Sequence, residues 1–168
     1  GLNKFILTLV WFKTMLVGSF LGTAFLIYKL VGKKGLAIFA FNPLVIYEMV
    51  VASHLDGVML FFAILGYYLY IQKKRFLGII SWFISVGIKY ATILNFPSLP
   101  LSWLVVLAYA GAVAQIFSRE PLPHYFIVPI GFAALLPENR KLFWFGFLLS
   151  LALLLVRYLP FFYTGQWH

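Results

Sequence analysis

Three ionisable side chains lie close together in an otherwise apolar stretch of the chain, FNPLVIYEMVVASHLDGVMLFF (residues 41–62). They are Glu48, His54 and Asp56, and they include two of only four acidic residues in the sequence. A charge in a hydrocarbon environment is costly, so such residues usually mark a functional site. A carboxylate beside a histidine can act as a general base, bind sugar hydroxyls or hold a divalent cation. These three residues are therefore the candidate catalytic residues.

Each of the three also has an alternative interpretation. Glu48 could simply pair with a lysine or a tyrosine inside a helix bundle. Asp56, which precedes Gly57, is expected to cap the next helix, but a cap does not explain His54 two residues earlier. No cofactor is certain; if a divalent cation is required, His54 and Asp56 are the expected ligands, with Glu48 or the substrate completing the site.

Further polar residues interrupt apolar runs elsewhere in the chain. Lys89 and Arg157 are each expected near the outer end of a span, where snorkelling toward the interface would explain them. A lysine and an arginine at similar depth also suit an anionic head group such as a lipid phosphate. The prolines of EPLPHYFIVP predict a loop, whose His124 and Tyr125 are either interfacial anchors or site residues. The candidate substrate-binding residues are Lys89, Tyr90, Arg157, His124, Tyr125 and Asn42.

The composition is that of an integral membrane protein. Of 168 residues, 64% are hydrophobic and 10% are charged, which is far more apolar surface than a soluble domain of this size can bury. The net charge of +9 is distributed singly or in small clusters between apolar runs, so it indicates membrane topology rather than nucleic-acid binding. The absence of cysteine excludes disulfides, thiolate metal sites and cysteine nucleophiles.

Helix breakers and charges divide the chain into about six to seven hydrophobic segments, and their continuous apolar runs favour helices over a barrel. We therefore predict an all-α, polytopic transmembrane helical bundle that forms a single domain over residues 1–168. Asn42 and Pro43 predict a break, with Asn42 as a helix cap and Pro43 at the first helical position. A helix from there to about residue 53 would be roughly 16 Å long, about half a bilayer.

The basic turns predict the orientation of these segments. The lysines of GKKG (32–35) and the KKR turn (73–75) are expected on the cytoplasmic side, which places residues 53–57 on the outer side. A full span over 101–117 would put NRK (139–141) outside, against the positive-inside rule. A re-entrant or incomplete pass there would return NRK to the cytoplasm, and the sequence leaves both topologies open.

Several of these motifs, in this order, resemble one family of membrane enzymes. FNPLVIYEMVVASHLDGVMLFFAILGYYL, a basic turn and GIISWFISVGIKYATILNFP are similar to glycosyltransferases of the GT-C class. The nearest likeness is to prokaryotic polyprenyl-phosphate-mannose-dependent mannosyltransferases, which share an Asn-Pro-Leu segment, a His-x-Asp junction and a Lys-Tyr pair. PLPHYFIVPIGFAAL resembles their Pro-Trp-Tyr loop with His124 in place of tryptophan, and LLVRYLPFFYTGQW resembles the end of a late span.

The resemblance, over about residues 36–165, implies a membrane transferase of the prokaryotic cytoplasmic membrane. Such an enzyme moves a sugar, here mannose, from a polyprenyl-phosphate donor to a lipid or glycan acceptor on the extracytoplasmic face, and it inverts the anomeric carbon. By matching position, His54 and Asp56 would belong to the active-site cavity and Lys89 would contact the donor phosphate. The resemblance offers four further candidates for the site, with less direct matches: Tyr90, His124, Tyr125 and Arg157.

The chain also departs from that family. It is less than half the family's usual length, begins without methionine and lacks an acidic first outer loop. We therefore expect the C-terminal part of a larger enzyme or a truncated relative, with a partner membrane chain as one source of the missing part. Two other functions stay open: a membrane transporter with an intramembrane polar pathway, and a non-catalytic membrane subunit.

Overall fold

The computed structural model describes residues 2–52, 54–118 and 122–165, and the regular elements in these ranges are all helical. This confirms the predicted all-α class. The helices, in chain order, are α1 (Leu2–Ala40), α2 (Pro43–Ile46) with a π-helical turn (Tyr47–Val51), α3 (Asp56–Ile71), α4 (Arg75–Ile88) with a 3₁₀ turn (Tyr90–Thr92), α5 (Leu101–Ser118), a 3₁₀ turn (Pro123–Phe126), α6 (Ile127–Ala133) and α7 (Arg140–Thr164).

Two of these helices are long and apolar enough to cross a membrane, Leu2–Ala40 and Arg140–Pro160. The bent pair Pro43–Val51 and Asp56–Ile71 would be a third span if it is counted as one. The predicted bundle of six to seven segments is therefore not supported as a set of spans in the described ranges. Hydropathy overestimated the number because α4 ends at Ile88, where Lys89 adopts an extended conformation, and α6 has only seven residues.

Large apolar side chains cover much of the outer surface of the bundle. Phe76, Phe117 and Val156 are among the most exposed of them. Such a surface is unfavourable in water and favourable against lipid acyl chains. The exposed apolar surface and the two long helices together indicate association with a membrane.

The GKKG segment interrupts α1 with a kink. Gly32 has non-helical backbone angles, with φ 76° in the left-handed region that favours glycine, and a second helical stretch follows it to Ala40. Just after this bend, the Lys34 ammonium lies 2.8 Å from Oε1 of Glu138 in the loop before α7. The hydrogen bond from Lys34 lowers the pKa of Glu138. This contact places the PENRK loop (137–141) at the same end of the molecule as GKKG, as the re-entrant interpretation of residues 101–117 requires.

The predicted break at Asn42 and Pro43 is present. The Asn42 side-chain oxygen accepts hydrogen bonds from the backbone N–H groups of Leu44 and Val45, at 3.0 and 3.2 Å. Its amide nitrogen donates to the Ser150 hydroxyl on α7, at 3.0 Å. Asn42 therefore fixes both the start of α2 and the position of α2 against α7.

The core of the molecule surrounds α3. This helix packs most extensively against α4, and also against α1 and α6. Its side chains Met59, Leu60 and Ile64 are fully buried, and Ile127 and Phe132 of α6 are buried in the same cluster. Because residues 54 and 55 immediately precede α3 and Asp56 begins it, this core holds their backbone in place.

Two glycines bring α3 and α4 into backbone contact. A Cβ atom added at Gly66 would lie 2.9 Å from the carbonyl oxygen of Gly78 and 3.2 Å from the backbone nitrogen of Trp82. A Cβ atom added at Gly78 would lie 2.8 Å from the carbonyl oxygen of Gly66. The hairpin of these two helices therefore requires small residues at both positions.

We expect Gly66→Ala to destabilise the protein by about 1–3 kcal/mol, because the added methyl group forces two backbones apart. The matched control is Gly87→Ala in α4, where an added Cβ meets nothing within 4 Å. There the better helix propensity of alanine should leave stability unchanged or raise it by about 0.5–1 kcal/mol. Denaturant titrations in detergent micelles measure both, and equal behaviour of the two variants would show that the hairpin is not closely packed.

Candidate functional site

Glu48 lies in the π-helical turn that follows α2, and its side chain is fully buried. The turn is marked by the hydrogen bond from the Ala52 N–H to the Tyr47 carbonyl, at 2.7 Å. Such turns are rare and occur often at functional sites. The Tyr158 hydroxyl of α7 donates to Glu48 Oε1 at 3.0 Å. The expected pairing of Glu48 with a tyrosine is therefore present.

The second oxygen of Glu48 faces His54. Nε2 of His54 lies 3.3 Å from Glu48 Oε2, close enough for an ion pair if the imidazole is protonated. The geometry is not that of a hydrogen bond, however, so Oε2 is a buried oxygen without a hydrogen-bond donor among the described residues. A buried acceptor of this kind is costly unless another group binds it.

His124 completes this cluster from the 3₁₀ turn that begins at Pro123. Its ring stacks on the ring of His54 with centroids 4.2 Å apart. Burial lowers the pKa of His124 to about 4, so its imidazole is neutral near pH 7. Neutral imidazole carries a nitrogen lone pair, so His124 is available as a proton acceptor or a metal ligand.

Asp56 and Lys89 form a second polar group. The Lys89 ammonium lies 2.8 Å from Asp56 Oδ1 and 4.7 Å from the centroid of the Tyr125 ring. The predicted capping role of Asp56 is wrong, because α3 begins at Asp56 itself, after Leu55, and no side chain of the described residues caps it by a hydrogen bond. The carboxylate instead neutralises Lys89. The ring of Tyr125 touches that of His124, with centroids 4.7 Å apart, so the two polar groups adjoin each other.

A cavity of about 360 Å³ lies beside the cluster of Glu48, His54 and His124. It is large enough for a sugar, and its wall combines imidazole, guanidinium and phenol groups. The cavity is lined by Tyr47, Ala52, His54, Leu122, Pro123, His124, Arg157 and Tyr158.

The structure brings most of the predicted site residues together. Three of them line the cavity, namely His54, His124 and Arg157. Glu48 lies next to His54. The group formed by Asp56, Lys89 and Tyr125 contacts His124 through the Tyr125 ring. The other two predicted residues, Asn42 and Tyr90, are not among those that line the cavity. The polar side-chain atoms of Asn42 bind Leu44, Val45 and Ser150, and Tyr90 is 54% exposed on the turn after Lys89.

Two tyrosines of the site were not among the predicted residues. Tyr158 binds Glu48, and Tyr47 packs against Tyr158 with ring centroids 4.4 Å apart. Each is the sequence neighbour of a predicted residue, Arg157 and Glu48 respectively. That adjacency was the available signal, and among the ten tyrosines only the already predicted Tyr90 and Tyr125 share it.

The geometry also changes the grouping of the potential metal ligands. The sequence suggested His54 with Asp56, whereas the structure places donor atoms of Glu48, His54 and His124 within 4.8 Å of one another. Asp56 is engaged by Lys89. The role of Asp56 as a metal ligand therefore stays a prediction without geometric support.

Comparison with known proteins identifies the family of this chain. A family model described as alpha-(1->6)-mannopyranosyltransferase, N-terminal domain, matches residues 2–106, which is more than half of the chain. No curated protein and no solved structure matches significantly. The matched range includes Glu48, His54, Asp56 and Lys89. Because the family model describes an N-terminal domain, the expectation of a C-terminal part is not supported.

Proposed function

Because the chain belongs to the alpha-(1->6)-mannopyranosyltransferase family, we propose that it transfers mannose from a polyprenyl-phosphate donor to an acceptor hydroxyl. The acceptor is a mannose-containing glycan or glycolipid, and the reaction takes place on the outer face of a prokaryotic cytoplasmic membrane. The family supports a glycosyltransferase that uses mannose. The remaining details rest on the chemistry of the cavity and on the resemblance to GT-C enzymes.

The reaction consists of one displacement at the anomeric carbon. The acceptor oxygen forms a bond to that carbon while the bond from the carbon to the phosphate oxygen breaks, which inverts the configuration. The hydroxyl proton passes to a base on the protein, and the negative charge remains on the polyprenyl phosphate. The site must therefore provide a base for the hydroxyl and a cation for the departing phosphate.

The pair of Glu48 and His54 beside the cavity is the observation that carries this proposal. His54 lines the cavity, where it can meet the acceptor hydroxyl, and Glu48 lies 3.3 Å behind its Nε2. The negative charge of a carboxylate at this distance stabilises the imidazolium that forms when the imidazole takes a proton. Tyr158 holds the other carboxylate oxygen in place. We assign His54 as the base and Glu48 as its positioning residue.

Arg157 is assigned to the departing phosphate. It lies on the cavity wall, and guanidinium groups bind phosphate oxygens through paired hydrogen bonds. The Lys89 ammonium is already neutralised by Asp56, so we assign that pair a positioning role. The Lys89 ammonium contacts the Tyr125 ring, and that ring contacts His124. The Asp56–Lys89 pair therefore holds both rings at the edge of the cavity.

We expect Arg157→Gln to lower mannosyl transfer by roughly 10²–10³-fold, as for other losses of a single charge-stabilising donor. The assay uses the protein in lipid vesicles with mannose-labelled polyprenyl phosphate and an α-mannoside acceptor. Arg140→Gln is the matched control, because Arg140 begins the same helix, roughly 25 Å of helix rise away. The control should keep wild-type activity.

Three outcomes would contradict the proposal. The first is no transfer by the wild-type protein with this donor, and the second is equal transfer by wild type and Arg157→Gln. The third is a product other than an α-(1→6)-linked mannoside, which would place the chain outside the activity that its family name describes.

A further inference from the structure

Glu48, His54 and His124 converge from separate parts of the chain. Glu48 comes from the π-helical turn, His54 from the segment before α3, and His124 from the 3₁₀ turn that precedes α6. Each offers a ligand atom, and these atoms lie within 4.8 Å of one another. Two imidazoles with one carboxylate form a ligand set that is known for catalytic zinc sites.

The buried oxygen of Glu48 supplies an independent observation. Oε2 has no hydrogen-bond donor among the described residues, and it points to the side of the carboxylate where His54 lies. A cation bound there would satisfy it. The other oxygen is fixed by the Tyr158 hydroxyl, which is the kind of outer contact that orients a carboxylate ligand.

We propose that Glu48, His54 and His124 bind one divalent transition-metal ion, with Zn²⁺ as the best-matched ion. The cavity beside the two histidines leaves room for water or a substrate oxygen as a fourth ligand. Ligands at about 2.0–2.2 Å from one ion are at most roughly 4.4 Å apart, so a small rotation of a ring closes the set. The side chain of His54 is 38% exposed, so its ring has room for this rotation.

The chemistry of the three ligands predicts selectivity among cations. Imidazole nitrogens favour Zn²⁺ and Co²⁺, whereas Mg²⁺ and Ca²⁺ prefer sites made of oxygen ligands. Arg157 on the cavity wall opposes any cation, which disfavours ions that bind imidazole weakly. We expect Zn²⁺ to bind more tightly than Co²⁺, and Mg²⁺ and Ca²⁺ not to bind.

The site has a consequence that rests on the proposed function. Zn²⁺ on Glu48 and His54 occupies the groups assigned to the acceptor proton. Zn²⁺ should therefore inhibit mannosyl transfer, and a chelator should restore it. Metal binding itself does not depend on that assignment.

The test measures metal binding directly, in detergent or nanodiscs, with the full chain purified through an affinity tag that contains no histidine. We expect one Zn²⁺ per chain by calorimetry and metal analysis, and Co²⁺ should give visible absorption bands of nitrogen and oxygen coordination. His124→Ala and His54→Ala should each weaken Zn²⁺ binding by more than about tenfold, because loss of a direct ligand exceeds loss of an outer contact. Glu48→Gln should do the same.

Two control variants match these changes. His168→Ala alters the third histidine of the chain, and Glu138→Gln alters an exposed carboxylate bound to Lys34. Both should bind Zn²⁺ as the wild type does. Equal binding by the wild type and all three ligand variants would overturn the site, and so would the lack of a Co²⁺ spectrum in the wild type.

The two proposals can fail separately. Zn²⁺ binding that is lost in His124→Ala, in a protein without transfer activity, would support the site and contradict the function. Transfer activity in a protein that binds no Zn²⁺ would support the function and contradict the metal site. The wild-type Co²⁺ spectrum provides a test even where a ligand variant does not fold.

Discussion

Glu48→Gln is expected to lower mannosyl transfer by roughly 10²–10⁴-fold, the usual contribution of general acid–base catalysis. The substitution removes the negative charge that stabilises a protonated His54, 3.3 Å away. It keeps the size of the side chain, and the amide oxygen can still accept the hydrogen bond of Tyr158. The loss should therefore fall on the rate of transfer while the fold is retained.

Initial rates in lipid vesicles, with a chelator present, measure this effect apart from any bound metal. Glu138→Gln is the matched control, because it makes the same chemical change in an exposed carboxylate at the loop before α7. Helix content and the unfolding midpoint in detergent should be equal for both variants. Wild-type rates in Glu48→Gln would remove this residue from the mechanism, and the transporter and non-catalytic alternatives would then gain support.

The second large effect concerns stability. Lys89→Met is expected to destabilise the protein by about 3 kcal/mol, because it leaves the Asp56 carboxylate buried without its partner. This loss of stability is at the lower end of the range for breaking a buried ion pair, because the Lys89 side chain is 23% exposed, whereas that of Asp56 is 6% exposed. Loss of the contact between the ammonium and the Tyr125 ring adds about 0.5–1 kcal/mol.

A double-mutant cycle separates this structural role from a catalytic one. Lys89→Met with Asp56→Asn should recover most of the lost stability, because no uncompensated charge remains. Recovery of transfer together with stability would support the positioning role, whereas stable protein without transfer would place Lys89 or Asp56 in the chemistry. Lys34→Met provides the control, since the Lys34 and Glu138 side chains are 70% and 79% exposed and their pairing should have no measurable effect on stability.

Local signals predicted the Asn-Pro break and the helical class, but the predicted cap at Asp56 was wrong. The Asn-Pro break was predictable because a side-chain cap and the fixed φ of proline act within three residues, and Asn42 does cap α2. The all-helical class followed from apolar runs without alternation. The number of spans was not predictable in the same way. Hydropathy counts apolar residues, but it does not register that α4 ends before Lys89 or that α6 is short.

The sequence by itself determined which residue types were available for chemistry. The chain has only four acidic residues and three histidines, so few positions can provide a base or a metal ligand. The high cost of a charge near lipid indicated which of these positions belong to a site. Glu48, His54, Lys89, His124 and Arg157 were all recognisable in this way. Their membership of one site followed only from their burial and placement in the fold.

Tertiary structure alone decided the pairing of these residues. Asp56 is two positions from His54, yet it binds Lys89, the residue that follows α4. His54 instead faces Glu48 and stacks on His124. Tyr158 reaches Glu48 across 110 residues of sequence. Spacing along a chain fixes neighbours within a helical turn, but contacts between helices depend on how all of them pack. The packing around α3 therefore determines which carboxylate has a cation as its partner and which has an unpaired oxygen beside two histidines.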